Sequence, residues 1–337
     1  MKKRKDLLNG YIQHPPYLIE IEPTEGCNLG CSFCGIRGMR EKGTKPWNFM
    51  TIKQAATIAK KIRDAKWKSF IVFCGHGEPT LNPNLLNIIK IFRHYLPNNV
   101  MQIINNGYGF RHGIFDIRHF FTELQRIGFN DVLFDVYSPN GDWNAVKEIP
   151  DITGELKSIG VNGVEYNYRG KELRVCLYPM QVDASKSLYR RLDNHTGAAA
   201  PYDYSEHAVN RRCQKPFRHF FIRWNGEASL CCDDFRGVFK IGNVSDYDKI
   251  EDLWNNEVFQ AARIMLYNGK RELRPCYGCN YSPVRAGLIP DPSGRDKDVM
   301  PPLTDEVREI LRNAYSVKNA PIVIKRKWET DEDFVNN

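Results

Sequence analysis

The sequence predicts an α/β fold, an open partial (β/α)6-type barrel followed by a small α+β module. From Tyr17 to about Arg174, short β-rich runs alternate with segments of helical periodicity, which is typical of βα units and a parallel sheet. After Cys213 the pattern changes to a hairpin and cysteine-bearing loops. The chain has 337 residues, of which 42% are hydrophobic, so it can bury a large core.

Five strands are predicted in the barrel, at 17–21, 70–74, 101–104, 132–136 and 173–177. Helices alternate with them at 51–65, 83–95, 117–127 and 142–159. Thr51 suits the N-cap of the first helix, and Pro83 can open the second. Pro150 would interrupt the last helix, because proline removes a backbone donor. The loops after the strands should carry the working residues, as in complete βα barrels.

The module begins with a predicted hairpin, because strand-like runs at 220–224 and 227–231 flank Asn225-Gly226, a dipeptide that favours tight turns. Helices are expected at 250–254 and 258–267, followed by a Pro/Gly-rich connector at 290–302. We therefore divide the chain into four parts. They are a basic N-terminal extension at 1–16, the barrel at 17–200, the module at 201–285 and a C-terminal extension with one helix at 286–337.

Composition limits the location and the chemistry. No apolar run approaches a membrane span, and the charged first residues have no apolar stretch behind them, so we expect a cytoplasmic protein without membrane contact. Ten cysteines in such a protein indicate metal ligands or reactive thiols more than disulfides. The formal charge of +8 is compatible with a nucleic-acid partner or with an ordinary solvated surface, because the basic residues are spread along the chain.

The loop after the first predicted strand carries three cysteines, Cys27, Cys31 and Cys34, in a Cys-x3-Cys-x2-Cys run. A 4Fe-4S cube needs four ligands, so three thiolates leave one iron open to chelate the amino and carboxylate groups of another molecule. A zinc knuckle with a fourth ligand from elsewhere is the alternative, since zinc prefers closed four-coordinate sites.

This loop resembles that of the radical S-adenosylmethionine (SAM) superfamily in its spacing, its place after the first strand and the aromatic Phe33 before the third cysteine. Later segments also resemble family motifs that contact SAM: Gly75 to Pro79 resembles Gly-Gly-Glu-Pro, with His76 as a departure. Asn105 to Gly107 resembles Thr-Asn-Gly, and Ser138 to Gly141 resembles Ser-Leu-Asp-Gly. The resemblance implies SAM contacts from Phe33, Ile36, Gly75, Gly77, Glu78, Asn106 and Ser138.

A second set of cysteines comprises Cys213, Cys231, Cys276 and Cys279. Its spacing resembles the twitch module, the shortened form of the SPASM domain, in which four cysteines enclose an auxiliary 4Fe-4S cluster. The resemblance therefore implies two 4Fe-4S clusters, one that binds SAM and one closed. A zinc site that staples a small module is the alternative. We expect Cys232 to be a bystander, and we expect Cys74 and Cys176, in apolar strand runs, to be buried core thiols.

The family resemblance implies an enzyme that cleaves SAM to a 5'-deoxyadenosyl radical, which abstracts a substrate hydrogen. The closed cluster would accept an electron from the substrate radical, which favours oxidation of a small polyol, an amino sugar or a peptide side chain. A low-potential donor such as flavodoxin or ferredoxin would supply the first electron. An RNA-modifying radical SAM enzyme, suggested by charge alone, and a non-catalytic zinc or iron-sulfur protein are the alternatives.

His195 is the candidate catalytic residue, because Asn194 to Gly197 resembles an Asn-Arg-x-Gly element whose arginine can meet substrate in the family. Histidine here could act as a general base, since its unperturbed pKa lies near neutrality. A surface or packing histidine is the other interpretation. Glu165, Tyr166 and Arg169 are further candidates for the pocket.

Overall fold

The computed structural model describes residues 10–29, 34–35, 47–138, 157–160, 163–167, 173–181, 212–235, 237, 239–272, 276–277, 279 and 300–315. The strands are β1 (Leu18–Ile21), β2 (Thr24–Glu25), β3 (Asn48–Phe49), β4 (Phe70–Phe73), β5 (Met101–Asn105), β6 (Asp131–Ser138), β7 (Lys157–Gly160), β8 (Gly163–Asn167), β9 (Arg174–Gln181), β10 (His219–Ile222), β11 (Glu227–Ser229) and β12 (Gly242–Asn243). The helices are α1 (Ile52–Asp64), α2 (Leu85–Tyr95), α3 (Tyr108–Arg111), α4 (Ile117–Arg126), α5 (Lys215–Arg218), α6 (Ile250–Trp254), α7 (Glu257–Tyr267) and α8 (Asp305–Ala314).

A 10-stranded sheet forms the framework, in the order β12-β11-β10-β1-β4-β5-β6-β9-β8-β7. The run from β10 through β1, β4, β5 and β6 to β9 is parallel throughout. Strand β10, which comes from the cysteine-bearing second half of the chain, pairs directly with β1. The module is thus joined to the barrel by continuous backbone hydrogen bonds along one strand edge.

The strands alternate between two environments, as the period of a β-strand requires. Ile19 and Ile21 of β1 are fully buried in the hydrophobic layer, as are Phe73 on β4 and Phe220 on β10. Because successive side chains of a strand point to opposite faces, Glu20 of β1 points away from that layer. The buried layer therefore leaves the opposite face of the parallel strands free to carry polar groups.

The helices cover the apolar side, and their caps explain where they begin. The Thr51 side chain accepts a hydrogen bond from the backbone of Gln54, and the Gln54 side chain accepts one from the backbone of Thr51, which forms a capping box for α1. Asp116 and Asn256 cap α4 and α7 in the same sense. Each such cap stabilises a helix by about 1 kcal/mol. The buried faces of α1, α2 and α4 then cover the sheet with Ala, Ile, Leu and Phe side chains.

The fold class predicted from the sequence is confirmed, and the five barrel strands lie where the patterns indicated. The hairpin around Asn225-Gly226 is also present, with Gly226 at a φ of 85° that favours glycine. The predicted helix at 142–159 is wrong at its end, because Lys157–Gly160 is strand β7, paired antiparallel with β8. The rest of that segment and the predicted 200/201 boundary lie outside the described residues.

Buried polar contacts tie the module together. Arg263 of α7 is fully buried, and its guanidinium donates to the carbonyls of Pro216 (2.9 Å) and Trp254 (2.6 Å). The side chain of Asn255 accepts from the backbone of Ile12 at 3.1 Å, which fastens the N-terminal segment to the module. Among the described residues, no helix is both long and apolar enough to cross a bilayer.

Candidate active site

The first cysteine loop follows β1 and lies at the carboxyl ends of the parallel strands. The structure describes Cys27 and Cys34, both partly buried, whereas Cys31, Phe33 and Ile36 lie outside the described residues. The thiol of Cys27 accepts from the backbone of Leu29 at 3.4 Å. A short N–H···S contact of this kind supports a thiolate, which is the form that ligates iron.

Gly75 and Gly77, predicted to contact SAM, shape a turn that is clamped against the cysteine loop. Gly77 forms a bridge with Gly26, which lies immediately before Cys27. The backbone of Gly26 donates to the carbonyl of His76 and accepts from Glu78, each at 2.9 Å. A Cβ on Gly77 would lie 2.1 Å from the carbonyl oxygen of Thr24, and Gly75 has a φ of 131°. Both positions therefore require glycine, for a close approach and for an unusual backbone angle respectively.

Glu78 braces this turn against the next one. Its Oε1 accepts from the backbone of Thr80 at 2.9 Å and also from the Thr80 hydroxyl. Its Oε2 accepts from the backbone of Asn106 at 2.7 Å. Since a carboxylate has about four acceptor positions, Oε2 keeps one for a ligand. Burial raises the pKa of Glu78 to about 7, although the hydrogen bonds from Thr80 and Asn106 act in the opposite direction.

Asn106, after β5, joins the same group through its side chain. Its amide donates to the side-chain oxygen of Asn28 at 3.1 Å and to the thiol of Cys27 at 3.7 Å. We predicted Asn106 as a SAM contact, and the structure adds a contact with a predicted cluster ligand. Hydrogen bonds to cluster sulfurs are among the factors that set a reduction potential. Ser138 ends β6, and its side chain lies outside the described residues.

The four cysteines of the second set line one cavity. Cys213, which precedes α5, Cys231, which follows β11, and the pair Cys276 and Cys279 beyond α7 all line it. The remaining walls come from the apolar residues Pro216, Leu230 and Leu266 and from the charged residues Lys215, Asp233 and Arg271. Four converging thiols fit a cluster whose irons are all ligated by protein.

The electrostatics of this cavity also fit an anionic cluster. Burial raises the pKa values of the Cys213, Cys231 and Cys276 thiols, and for Cys276 the neighbouring Cys279 and Cys213 add to the rise. Deprotonated thiolates there need compensating positive charge. Arg271, which is buried, lines the cavity and donates to the carbonyl of Cys279 at 2.7 Å.

Lys215 supplies a second cation at the cavity wall. It forms an ion pair with Asp233 and donates to the thiol of Cys232 at 3.3 Å. Neither Lys215 nor Arg271 was predicted from the sequence, where Lys215 stands alone between Gln214 and Pro216 and Arg271 belongs to the basic pair Lys270-Arg271. Their positions beside the four thiols became visible only in the folded chain.

A cluster of polar side chains lies on the face of β1 and β10 that points away from the hydrophobic layer. Glu20 accepts from the Cys74 thiol at 3.2 Å, and its other oxygen lies 3.2 Å from His219 Nε2. His219 Nδ1 lies 3.8 Å from the Cys232 thiol. Burial lowers the pKa of His219, despite the opposing effect of Glu20. The group offers a neutral imidazole, a carboxylate and two thiols, which together can accept and donate hydrogen bonds.

These contacts correct one expectation about cysteines. Cys74 is not a plain core thiol, because it is only partly buried and donates to Glu20; desolvation and then Glu20 raise its pKa well above the usual value. Cys232, expected to be a bystander beside a ligand, does not line the four-cysteine cavity and contacts Lys215 and His219. Cys176 is buried, as expected.

The other candidates from the sequence are less informative. His195, with its flanking residues from Asn194 to Gly197, lies outside the described residues, as does Arg169. Glu165 and Tyr166 belong to β8, whose side chains are likewise not described. The general base predicted at His195 therefore remains a prediction.

Comparisons with known proteins agree with this geometry. The family model of the Radical SAM superfamily matches residues 21–157, which begin at the end of β1 and include β2 to β6 and the first cysteine loop. The model of the SPASM family, described as an iron-sulfur cluster-binding domain, matches residues 213–280, which begin at the first cysteine of the second set. The chain therefore has the cofactors of these domains, SAM and 4Fe-4S clusters that include an auxiliary one.

Two curated relatives match parts of the chain. The S-adenosyl-L-methionine-dependent 2-deoxy-scyllo-inosamine dehydrogenase of Niallia circulans is 22% identical over 277 residues, 78% of this chain and 92% of the relative. The GTP 3',8-cyclase of Pectobacterium atrosepticum is 24% identical over 92 residues, 27% of each chain. The first relative is similar along nearly its whole length, and the second along one segment.

Solved structures share the fold. BtrN in complex with AdoMet and 2-DOIA superposes with a TM-score of 0.55 at 20% identity, covering 81% of this chain and 96% of BtrN. BtrN in an open conformation gives a TM-score of 0.52 at 18% identity, covering 80% of this chain and 94% of that one. These likenesses agree with the partial barrel described above.

Proposed function

We propose that this chain, an enzyme of the radical SAM superfamily with an auxiliary iron-sulfur module, oxidises a hydroxyl group of a small polyol or amino sugar. One observation carries the proposal: four cysteines converge on a single cavity, separate from the three-cysteine loop. A cluster with four protein ligands has no iron for SAM, so it is available to accept an electron from the substrate. Electron removal after hydrogen abstraction amounts to oxidation.

The cluster of polar side chains on β1 and β10 supports a hydrophilic substrate. Glu20 and His219 face each other there, with Asp233 nearby at the cavity wall. Hydroxyl and ammonium groups of a small polyol could satisfy such acceptors, which are costly to leave unpaired when buried. The similarity to a dehydrogenase named for 2-deoxy-scyllo-inosamine, an amino polyol, supports the same substrate class.

The bound cofactors supply the radical that removes the substrate hydrogen and the cluster that takes up the remaining electron. The chain itself must hold the substrate and accept the released proton. His195 is our first candidate for the residue that accepts the released proton. Glu20 is a second candidate, and it lies within the described residues. Glu78 would accept a hydrogen bond from the amino group of SAM, and Asn106 would orient the first cluster loop.

We further propose that Cys27, Cys31 and Cys34 ligate the SAM-binding cluster, and that Cys213, Cys231, Cys276 and Cys279 ligate the auxiliary one. Gly75, Gly77, Ser138, Phe33 and Ile36 complete the proposed SAM contacts. A flavodoxin or ferredoxin would deliver the first electron. We keep the expectation that the enzyme works in the cytoplasm, where thiols remain reduced.

The test uses anaerobically reconstituted enzyme, a panel of polyols and amino cyclitols, and dithionite or flavodoxin as reductant. We expect a member of the panel to raise 5'-deoxyadenosine formation and to yield a ketone in equal amount. A Cys276→Ala/Cys279→Ala variant should keep about four irons and reductive SAM cleavage but lose ketone formation. Native ketone formation by the folded variant would contradict the electron-acceptor role, and a panel without any oxidised member would contradict the substrate class.

A further inference from the structure

His76 occupies a buried position between the two cofactor sites. Its side chain is 1% exposed, and it departs from the glycine-rich pattern that its motif resembles. The imidazole is covered by Phe221 at 4.6 Å and by Phe235 at 4.2 Å between ring centroids, in tilted arrangements. A buried imidazole is costly unless its nitrogens find partners. A histidine at this position therefore needs specific contacts.

One ring nitrogen has a hydrogen-bond partner, and the other lies close to a carboxylate. Nε2 donates to the backbone carbonyl of Cys232 at 2.6 Å, and Nδ1 lies 3.1 Å from a carboxylate oxygen of Glu22. Burial raises the pKa of Glu22, but the hydrogen bond and charge of His76, with Arg223, outweigh it, so that carboxyl has a lowered pKa. The backbone carbonyl of His76 accepts from the backbone of Gly26 in the first cysteine loop. His76 thus contacts both halves of the molecule.

The segment 231–235 extends this connection. It begins at Cys231, a wall residue of the auxiliary cavity, and ends at Phe235, whose ring lies against Gly35. A Cβ on Gly35 would come within 2.7 Å of the Phe235 ring, so the two are in close contact. Arg223 holds the segment by donating to the carbonyls of Asp234 (2.5 Å) and Phe235 (3.0 Å). The segment therefore runs from one cofactor loop to the other.

We propose that His76 is a positioning residue that couples occupancy of the SAM site to the auxiliary cluster. The turn from Gly75 to Glu78 is the predicted site of the SAM amino group, and its His76 holds the Cys232 carbonyl. When SAM binding shifts that turn, His76 transmits the shift to the backbone of Cys232. The peptide dipoles there lie beside Cys231, a proposed ligand of the auxiliary cluster. Backbone dipoles and hydrogen bonds around a cluster tune its reduction potential.

The coupling is reciprocal. If SAM binding changes the reduction potential of the auxiliary cluster, the protein must bind SAM with different affinities when that cluster is oxidised and when it is reduced. We expect SAM affinity to differ about tenfold between the oxidised and reduced auxiliary cluster, equivalent to about 59 mV for one electron. The proposal depends on the two cofactor sites and not on the substrate, so its failure is distinct from a failure of the proposed oxidation.

Two variants separate the hydrogen bond from the packing. His76→Phe keeps an aromatic ring between Phe221 and Phe235 but cannot donate to the Cys232 carbonyl. His76→Gln keeps a donor at a similar distance along the side chain. His94→Phe is the matched control, because His94 is exposed on α2 and touches neither site. Each protein is loaded anaerobically, checked for about eight irons, and examined without substrate.

The measurement is the midpoint potential of the auxiliary cluster, followed by EPR with and without SAM. We expect a SAM-dependent shift in the wild type and in His94→Phe, its loss in His76→Phe, and its substantial recovery in His76→Gln. An equal shift in His76→Phe and the wild type would overturn the proposal. If His76→Phe does not incorporate both clusters, the coupling is tested in the wild type alone. Equal SAM affinity for the oxidised and the reduced auxiliary cluster would then overturn the proposal.

Discussion

The two cofactor sites of this molecule are built in different ways. The proposed SAM site lies where β1, β4 and β5 end, and backbone contacts give it shape: Gly77 meets Gly26, and Glu78 accepts from the backbone of Asn106. The proposed auxiliary site is a cavity lined by four cysteines and by the cations Lys215 and Arg271. One site depends on close approach of turns, and the other depends on balanced charge.

The difference has consequences for substitution. A site made of clamped turns should fail abruptly when a side chain is added, because backbone atoms cannot move aside. A site made of buried charges should respond in graded fashion, because the potential of a cluster follows the charge around it. Four predictions, from the largest expected effect to the smallest, compare these responses.

Removal of the first cysteine set should abolish the SAM-binding cluster and leave the auxiliary cluster in place. A Cys27→Ala/Cys31→Ala/Cys34→Ala variant should fall from about eight irons to about four and lose SAM cleavage, because only the open cluster can bind SAM. Iron analysis and the formation of 5'-deoxyadenosine are the measurements. Near-stoichiometric zinc with little iron in anaerobic wild-type protein would refute the iron-sulfur assignment at both sites.

Gly77→Ala should damage the SAM site severely, since its Cβ would lie 2.1 Å from the Thr24 carbonyl and 2.6 Å from that of Gly26. We expect at least about a hundredfold loss of SAM affinity, equivalent to about 2.8 kcal/mol, measured by equilibrium binding, while the auxiliary cluster still assembles. Gly113→Ala is the control: it has open space around it but a φ of 69°, so it should cost about 1 kcal/mol of stability and leave SAM binding intact. Native SAM affinity in Gly77→Ala would mean that the clamp is not needed.

Arg271→Met should change the auxiliary site without dismantling it. Loss of a positive charge beside the cluster destabilises its reduced form, so the midpoint potential should fall, on the order of 100 mV. Arg271→Lys keeps the charge and should retain most of the potential. EPR-monitored titration gives the values, and iron content verifies loading. An unchanged potential in a fully loaded Arg271→Met protein would show that this charge is irrelevant to the cluster.

SAM binding should weaken as the pH falls below about 7. The pKa of Glu78 is raised to about 7, so the carboxyl becomes protonated below that pH and accepts more weakly from the amino group of SAM. The dissociation constant of SAM should therefore rise as the pH falls through 7. Protonation of the α-amino group, which must be unprotonated to chelate iron, weakens binding in the same direction, so the contribution of Glu78 is the difference between the wild-type profile and that of a variant that cannot titrate at this position.

Glu78→Gln is the control for the pH effect, because its amide does not titrate. Its SAM affinity should be lower at pH 8 and should fall less steeply than that of the wild type between pH 8 and pH 6, because only the amino group of SAM still titrates. The amide can still accept from Thr80, but its NH₂ group would face the donor of Asn106, so some loss of order in the turn is expected. A wild-type profile as flat as that of Glu78→Gln would exclude Glu78 as the titrating group.

Local pattern was sufficient for much of the fold. Thr51 predicted the start of α1 because an N-cap side chain bonds within its own first turn, and Asn225-Gly226 predicted the hairpin because its φ preference is local. Strands β7 and β8 were missed, since the segment 142–159 has a mixed pattern and their pairing depends on β9. Strand partners distant in sequence are not encoded in periodicity.

The candidate site divides in the same way. The order and spacing of the cysteines, and the glycines at 75 and 77, were determined by the sequence itself, because ligand number and turn geometry depend on near neighbours. The contacts of Arg271, Lys215, Glu20 and His219 were decided only by the tertiary structure. His76 is the clearest case, since its partner Cys232 lies 156 residues away along the chain. Buried charges and hydrogen bonds depend on which strands become neighbours, and β10 beside β1 is a pairing that only the folded sheet establishes.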